Sequence, residues 1–198
     1  MNIHQLSINY LQEHDRILVR INTIELAELR LWFTRRLTLG FAPLLNRIVA
    51  KHVSSQEAIK SAHISPTATA DTSTQHLLAE FKKQELLQQS DFKTPFKDQP
   101  SQLPLGAEPL LVTEVNVTPL ASGQLQMVFS EKLPDQAPGS KPRSFKIALE
   151  ANLTHGFVHL LDKAIGVSLW HETREASTGA HAHDAGLQAM NDKPKYWN

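Results

Sequence analysis

One stretch of this sequence occurs twice in altered form, and this restricts the possible folds more than any other feature of the chain. The segment "LRLWFTRRLTLGFAPLLNRI", Leu29–Ile48, aligns without a gap to "FKIALEANLTHGFVHLLDKA", Phe145–Ala164, after a shift of 116 residues. The residues "LT-GF--LL" recur in both copies. An internal duplication is the simplest explanation, and it predicts two related folding units. The alternative is that two strand-to-helix junctions converged on similar residues.

In both halves of the chain, apolar residues alternate with polar ones ahead of the repeated helix-like segment. Such alternation is typical of half-buried strands. In the first half the alternating apolar positions are Leu6, Ile8, Tyr10, Ile17, Val19, Ile21, Leu29, Leu31 and Phe33. In the second half they are Val115, Val117, Leu125, Met127, Phe129, Phe145, Ile147 and Leu149. Each half therefore predicts three strands, which we expect to pair as an antiparallel meander.

After the third strand of each half, the spacing of apolar residues changes to that of an amphipathic helix. Thr34 and Asn152 are residue types that cap helix N-termini, and we expect them to do so here. Pro43 falls inside the first helical pattern, where it should kink the helix or reset its start. A further helix is predicted in the middle of the chain, with Leu77 and Phe81 among its inward residues.

The predicted fold class is α+β, with two related β-β-β-α units packed as one domain and a middle helix between them. We expect a small-polar linker, a proline-rich linker and a polar tail to lack fixed structure. The two units either bury their apolar sheet faces against each other or form one six-stranded sheet. The expected boundaries are a first unit at 1–52, a linker at 53–75, the middle helix at 76–90, a linker at 91–109, a second unit at 110–170 and a disordered tail at 171–198.

Composition removes several classes of function. The sequence has 198 residues, no cysteine, 20 Lys and Arg, and 20 Asp and Glu. The lack of cysteine excludes disulfides, thiolate zinc sites and cysteine nucleophiles. The balanced charge gives no reason to expect a strong phosphate binder. We find no P-loop, nucleophile elbow or dinucleotide fingerprint, so we expect no catalytic activity and no cofactor.

The start of the chain has no apolar core of the kind found in signal peptides. No window approaches the length of apolar sequence that a membrane-spanning helix needs. From these two observations we expect a cytoplasmic protein without membrane contact.

The candidate binding residues are those at which the two copies differ. Arg30, Trp32, Arg35 and Arg36 align with Lys146, Ala148, Ala151 and Asn152. The fold therefore does not require the arginine pair or the tryptophan. Two guanidinium groups beside an indole can bind a carboxylate, a phosphate or a stacked base. Alternatively, the arginines lie along the surface and pair with Glu25 or Glu28.

Two histidines are weak candidates for a metal site. His155 and His159 are spaced i, i+4 on the second predicted helix, and Asp162 continues the same face. This spacing can chelate a transition metal. A solvated or interfacial histidine face explains the same spacing, so we predict no metal site.

The block "RLWFTRR" resembles uncharacterised small bacterial proteins in which strands are followed by "LWLTRR", over about residues 1–50. This resemblance brings no function with it. The twice-repeated meander and helix is similar in topology to the Whirly and PUR-repeat single-stranded nucleic-acid-binding proteins. That resemblance implies nucleic-acid contacts from Arg20, Arg30, Trp32, Arg35 and Arg36.

The sequence predicts a non-catalytic interaction or assembly module that binds protein partners, with a homodimer as one arrangement. The alternative is a single-stranded nucleic-acid-binding protein. The arginine and tryptophan block is the predicted contact surface in both cases.

Overall fold

A computed structural model describes residues 3–62, 77, 80–81, 84–85, 88, 94–97, 102–134 and 142–171. The chain divides into two compact units at 1–168 and 169–198, and the elements below belong to the first. Its first half contains three strands and a long helix, and its second half contains one short strand, three further strands and a helix. The elements are β1 (Ile3–Leu11), β2 (Arg16–Thr23), β3 (Glu28–Thr34), α1 (Arg35–Ala62), β4 (Leu110–Leu111), β5 (Glu114–Pro119), β6 (Leu125–Glu131), β7 (Arg143–Leu149) and α2 (Ala151–Ser168).

The strands form two separate sheets, so the fold class is α+β, as the sequence predicts. The first sheet has the order β1-β2-β3-β4, and the second has the order β5-β6-β7. Both meanders are antiparallel, as expected. The short strand β4 is an addition that the sequence pattern did not predict, and it pairs with β3 in parallel. Its neighbour Val112 donates its N–H to the Trp32 carbonyl at 3.0 Å.

The inner faces of both sheets meet in one apolar core. Ile17, Val19 and Ile21 on β2 are fully buried, as period-two alternation requires. The Phe33 ring on β3 lies 5.7 Å from the Phe129 ring on β6, measured between centroids. Because this contact joins the first sheet to the second, the two meanders share a core and fold as one domain.

Each helix packs on the first strand of the other half. The helix α2 contacts β1, and α1 contacts β5, while the two helices also contact each other. Where the helices meet, the Asn46 amide lies 3.5 Å from the Asp162 carboxylate. These two residues occupy aligned positions in the repeat. Contacts between equivalent residues are expected at a twofold axis.

Five aligned pairs of helical positions are buried in both helices. The first set, on α1, is Thr38, Phe41, Ala42, Leu45 and Val49, and the second set, on α2, is Thr154, Phe157, Val158, Leu161 and Ile165. The helix α2 in addition buries His155, Gly156, Ala164 and Ser168, whose counterparts on α1 are not buried. Each member of the second set lies 116 residues after a member of the first. The two helices therefore present the same face to the core despite their different neighbours.

The predicted helix starts are correct in one half and wrong in the other. Thr34 accepts the Leu37 N–H through its hydroxyl at 3.2 Å and caps α1. Asn152 does not cap α2, because the helix already begins at Ala151 and Asn152 lies within its first turn. Pro43 lies inside α1 and does not reset its start, since α1 runs unbroken from Arg35.

Several segments differ from the boundaries expected. The helix α1 continues beyond residue 52 to Ala62, within the predicted linker at 53–75. All but the first residue of the tail predicted at 171–198, and most of the middle helix predicted at 76–90, lie outside the described residues, although the described positions of that helix are helical. Leu77 and Phe81, expected to point inward, are exposed. Neither helix of the described ranges combines the length and apolarity that crossing a membrane requires.

Candidate functional site

The outer face of the first sheet carries a buried carboxylate held by two arginines. Glu28 is fully buried, and its oxygens accept two hydrogen bonds from Arg20, at 2.8 and 3.0 Å. Arg30 donates a third hydrogen bond to the same carboxylate at 2.7 Å. Strand pairing explains this cluster, because Arg20 lies directly opposite Arg30 and Glu28 lies two residues away on the same face. Arg30 is therefore an internal ion-pair partner.

Part of the second predicted linker lies across this face. Phe96 stacks under the Arg20 guanidinium, which lies 4.4 Å from the ring centroid. Gln5 donates a hydrogen bond to the Pro95 carbonyl at 3.2 Å and accepts the Lys97 N–H at 3.0 Å. Asn22 donates to the Lys97 carbonyl at 2.9 Å. Residues 95–97 thus dock beside the Glu28 cluster, and Phe96 covers part of the Arg20 guanidinium.

The electrostatics of Glu28 are those of a structural ion pair. Burial by itself raises the pKa of the Glu28 carboxyl, but the hydrogen bonds from Arg20 and Arg30 outweigh that effect. The pKa of Glu28 therefore lies below the ordinary value of 4.5. A carboxylate that stays ionised and is enclosed by two arginines is unsuited to proton transfer near neutral pH.

Trp32 lies on the same outer face as Arg30 but near the other end of β3. Its ring is tilted against that of His14, with 5.2 Å between the centroids. The side chain is half-buried. Its backbone carbonyl binds Val112, which fixes the chain at the junction of β4 and β5. Trp32 thereby contributes to positioning the strand that forms one wall of the groove described next.

A groove of about 580 Å³ runs between the first turns of α1 and the segment that connects β4 to β5. Its helical wall consists of Thr34, Arg36, Leu37, Gly40, Phe41 and Leu44, and its strand wall consists of Leu111, Val112, Thr113, Glu114 and Val115. The lining is mainly aliphatic. Arg36 belongs to this lining, whereas Arg30, Trp32 and Arg35 do not. Arg35 is half-buried at the first residue of α1.

The two charged residues of the groove differ in how they are compensated. Glu114 forms an ion pair with Lys132 and accepts a hydrogen bond from Asn116 at 3.2 Å. The hydrogen bond from Lys132, followed by that from Asn116, lowers the pKa of Glu114 below 4.5. Arg36 is exposed and has no hydrogen-bond or ion-pair partner in the part of the chain that the structure describes. With respect to the described residues, the groove therefore carries one uncompensated positive charge, that of Arg36.

The corresponding positions in the other half are less exposed. There α2 packs along β1 more extensively than α1 packs along β5. Gly156 on α2 is buried, whereas the aligned Gly40 is exposed and lines the groove. Leu160 is half-buried, whereas the aligned Leu44 is 52% exposed. The two halves therefore differ in how far these aligned helical positions are exposed.

The two histidines suggested by spacing do not share an environment. His155 is buried, and His159 is exposed on the same helix. Among the residues described, no group of three or more His, Cys, Asp or Glu side chains is arranged to hold a metal ion. The i, i+4 spacing correctly placed His155 and His159 one turn apart on α2. It did not indicate that His155 would be buried and His159 exposed.

Reasoning from the sequence missed the two features that organise this region. The alternation of side chains along β2 and β3 places Glu28, Arg20 and Arg30 on one face of the sheet, so the ion-pair cluster could have been predicted from the sequence. The groove had a weaker sequence signal: Leu44 recurs in the repeat as Leu160, but the exposure of Leu44 cannot be read from that recurrence. Comparisons of the chain with protein-family models, with curated proteins and with solved structures found no match.

Proposed function

We propose that this protein is a non-catalytic interaction module that binds a protein partner in the groove between α1 and the β4–β5 segment. The observation that carries this proposal is the difference between the two halves. The helix α2 packs along β1 more extensively than α1 packs along β5, and α1 leaves a groove in which Leu44 is exposed. Exposed apolar surfaces rimmed by polar residues are typical of protein interaction sites.

We also propose that the two halves arose by duplication of one β-β-β-α unit. Support comes from the matched burial of the helices and from the contact between the aligned residues Asn46 and Asp162. In this interpretation, Arg36 and the greater exposure of the groove positions distinguish the first copy from the second. A cytoplasmic location is part of the same proposal.

The nucleic-acid alternative has less support from the outer sheet face. Two of its five expected contact residues, Arg20 and Arg30, are bound to Glu28, and Phe96 covers Arg20. A phosphate would have to compete with a buried carboxylate for both guanidinium groups. If the alternative holds, single-stranded oligonucleotides should bind with an affinity that falls steeply as salt rises. If the protein does not bind immobilised single-stranded oligonucleotides even at low salt, the nucleic-acid alternative is wrong.

The groove is tested with a random-peptide library displayed on phage and selected on the full chain. Peptides recovered with the wild type are then synthesised, and their affinities are measured by fluorescence polarisation. We expect Leu44→Asp to abolish binding, because it places a charge in the aliphatic wall. Val167→Asp is the matched control, since Val167 is a helical residue of similar exposure, 63%, that does not line the groove.

Two outcomes decide the proposal. Loss of binding with Leu44→Asp and retention with Val167→Asp support a site in the groove. If no peptide is enriched, or if both variants bind as the wild type does, the groove is not the interaction site. Circular dichroism of each variant checks that the fold is retained.

A further inference from the structure

We propose that the occupant of the groove is an extended segment of a partner protein that carries an acidic side chain facing Arg36. This inference rests on the proposed function, because it specifies what binds at the same site. It goes further in naming the backbone conformation and the charge of the partner, and both follow from the two walls of the groove.

The strand wall favours an extended partner. Five consecutive residues, 111–115, line the groove. This run comprises the end of β4, the connection at Val112 and Thr113, and the start of β5. The N–H groups of Leu111, Val112 and Thr113 already donate to Glu131, Trp32 and Ser130, so among the described residues the unpaired strand edge along the groove begins at Glu114. The strand β5 is the first strand of its sheet, and no strand in the described ranges pairs with its other side. An exposed strand edge can accept an additional strand from a partner.

The helical wall sets the length of the segment. The lining residues of α1 extend from Arg36 to Leu44, together with Thr34 just before the helix, and they follow the i, i+3, i+4 spacing of one helical face. With a rise of about 1.5 Å per residue, this wall is about 15 Å long. An extended segment advances by roughly 3.3 Å per residue, so about four or five residues of a partner fill the groove.

The charges of the groove select an acidic partner. Lys132 neutralises Glu114 at the strand wall, and Arg36 is left without a counter-charge among the described residues. Arg36 also lies in the first turn of α1, where the helix dipole adds positive potential. An aspartate or glutamate of the partner would compensate the charge of Arg36 and the positive potential of the helix N-terminus. Leu37, Phe41 and Leu44 provide the aliphatic and aromatic surface for its apolar side chains.

The test compares peptide selections on three full-length proteins: the wild type, Arg36→Glu and Arg47→Glu. Arg47 is an exposed arginine on the same helix outside the groove, and it is the matched control. We expect wild type and Arg47→Glu to enrich peptides with an Asp or Glu next to aliphatic residues. Arg36→Glu should lose this preference and bind the wild-type peptides roughly tenfold more weakly, since an exposed ion pair is replaced by a like-charge contact.

The conformation of the peptide is tested by methylating single backbone amides of a selected peptide. Methylation at alternate positions should weaken binding more than methylation at the positions between them, because only every second amide of a strand faces a given neighbour. Equal effects at all positions would overturn the extended conformation.

The possible failures of this inference are distinct from those of the proposed function. Peptides that depend on Leu44 but show no acidic preference, or that tolerate Arg36→Glu, overturn the acidic partner and leave the groove as a binding site. A second copy of the chain is the other occupant to consider, and sedimentation velocity tests it. If the wild type is a dimer and Leu44→Asp converts it to a monomer, the proposal of a partner segment is wrong.

Discussion

Replacing the buried carboxylate of Glu28 with an amide should destabilise the fold strongly. Glu28 is fully buried and accepts three hydrogen bonds from Arg20 and Arg30, at 2.7–3.0 Å. In Glu28→Gln one oxygen becomes an NH₂ group that faces an arginine donor, and two guanidinium groups lose their counter-charge. Removing one partner of a buried ion pair costs about 3–5 kcal/mol.

The partial exposure of the arginines places the expected cost at the lower end of that range. The side chains of Arg20 and Arg30 are 18% and 30% exposed, so water recovers part of the lost interaction. We therefore expect Glu28→Gln to lower the free energy of unfolding by about 3 kcal/mol. For a chain of this size, that corresponds to a decrease in Tm of roughly 6–12 °C.

Urea denaturation followed by circular dichroism measures the free energy, and a thermal scan measures Tm. Glu114→Gln is the control, since Glu114 also pairs with a cation, Lys132, but both side chains are solvent-accessible. We expect that variant to unfold like the wild type. A loss of less than about 1 kcal/mol for Glu28→Gln would contradict the conclusion that the carboxylate is desolvated.

Three further predictions follow from the same structure. Because the pKa of Glu28 is lowered, its stabilising contribution is complete above about pH 4.5 and is lost as the pH falls through its folded-state pKa, so the stability gap between the wild type and Glu28→Gln should shrink in acid. A gap that widens below that pH would contradict the sign. Leu26 has φ of 59° and Gly123 has φ of 85°. A positive φ strains a residue that has a Cβ and suits glycine, so the free energy of unfolding in urea should rise by about 0.5 kcal/mol for Leu26→Gly and fall by about 1 kcal/mol for Gly123→Ala. A Leu26→Gly variant that is less stable than the wild type would argue against strain in that turn. Leu45 and Leu161 are aligned and each 1% exposed, so Leu45→Ala and Leu161→Ala should each cost about 2–5 kcal/mol in the same assay; a cost below 1 kcal/mol for either would contradict the shared core.

Substitutions at exposed positions of the groove should affect partner binding more than the stability of the fold. Leu44 is more than half exposed, so Leu44→Asp should change Tm little while it removes peptide binding. This separation between stability and binding is what distinguishes an interaction surface from a core position. Leu45, the next residue along α1, is buried and packs in the core, so its substitution should lower stability.

The sequence by itself determined the local structure of both halves. Side chains alternate along a strand and recur every three to four residues along a helix, and both periods can be read from neighbouring residues. They located β1, β2 and β3, the three long strands of the second half, and the start of α1 at Thr34. The repeat also indicated which helical positions would be buried, because aligned residues such as Leu45 and Leu161 meet the same core.

Only the tertiary structure decided which distant groups meet. The sequence offered Glu25 and Glu28 as acids for the arginine pair, but strand pairing brings Glu28 to Arg20 and Arg30 instead. The parallel strand β4 and the docking of residues 94–97 depend on contacts between segments far apart in the chain. The open groove depends on how closely a helix approaches a strand of the other half. No local period encodes that distance, because it is set by the packing of the whole domain.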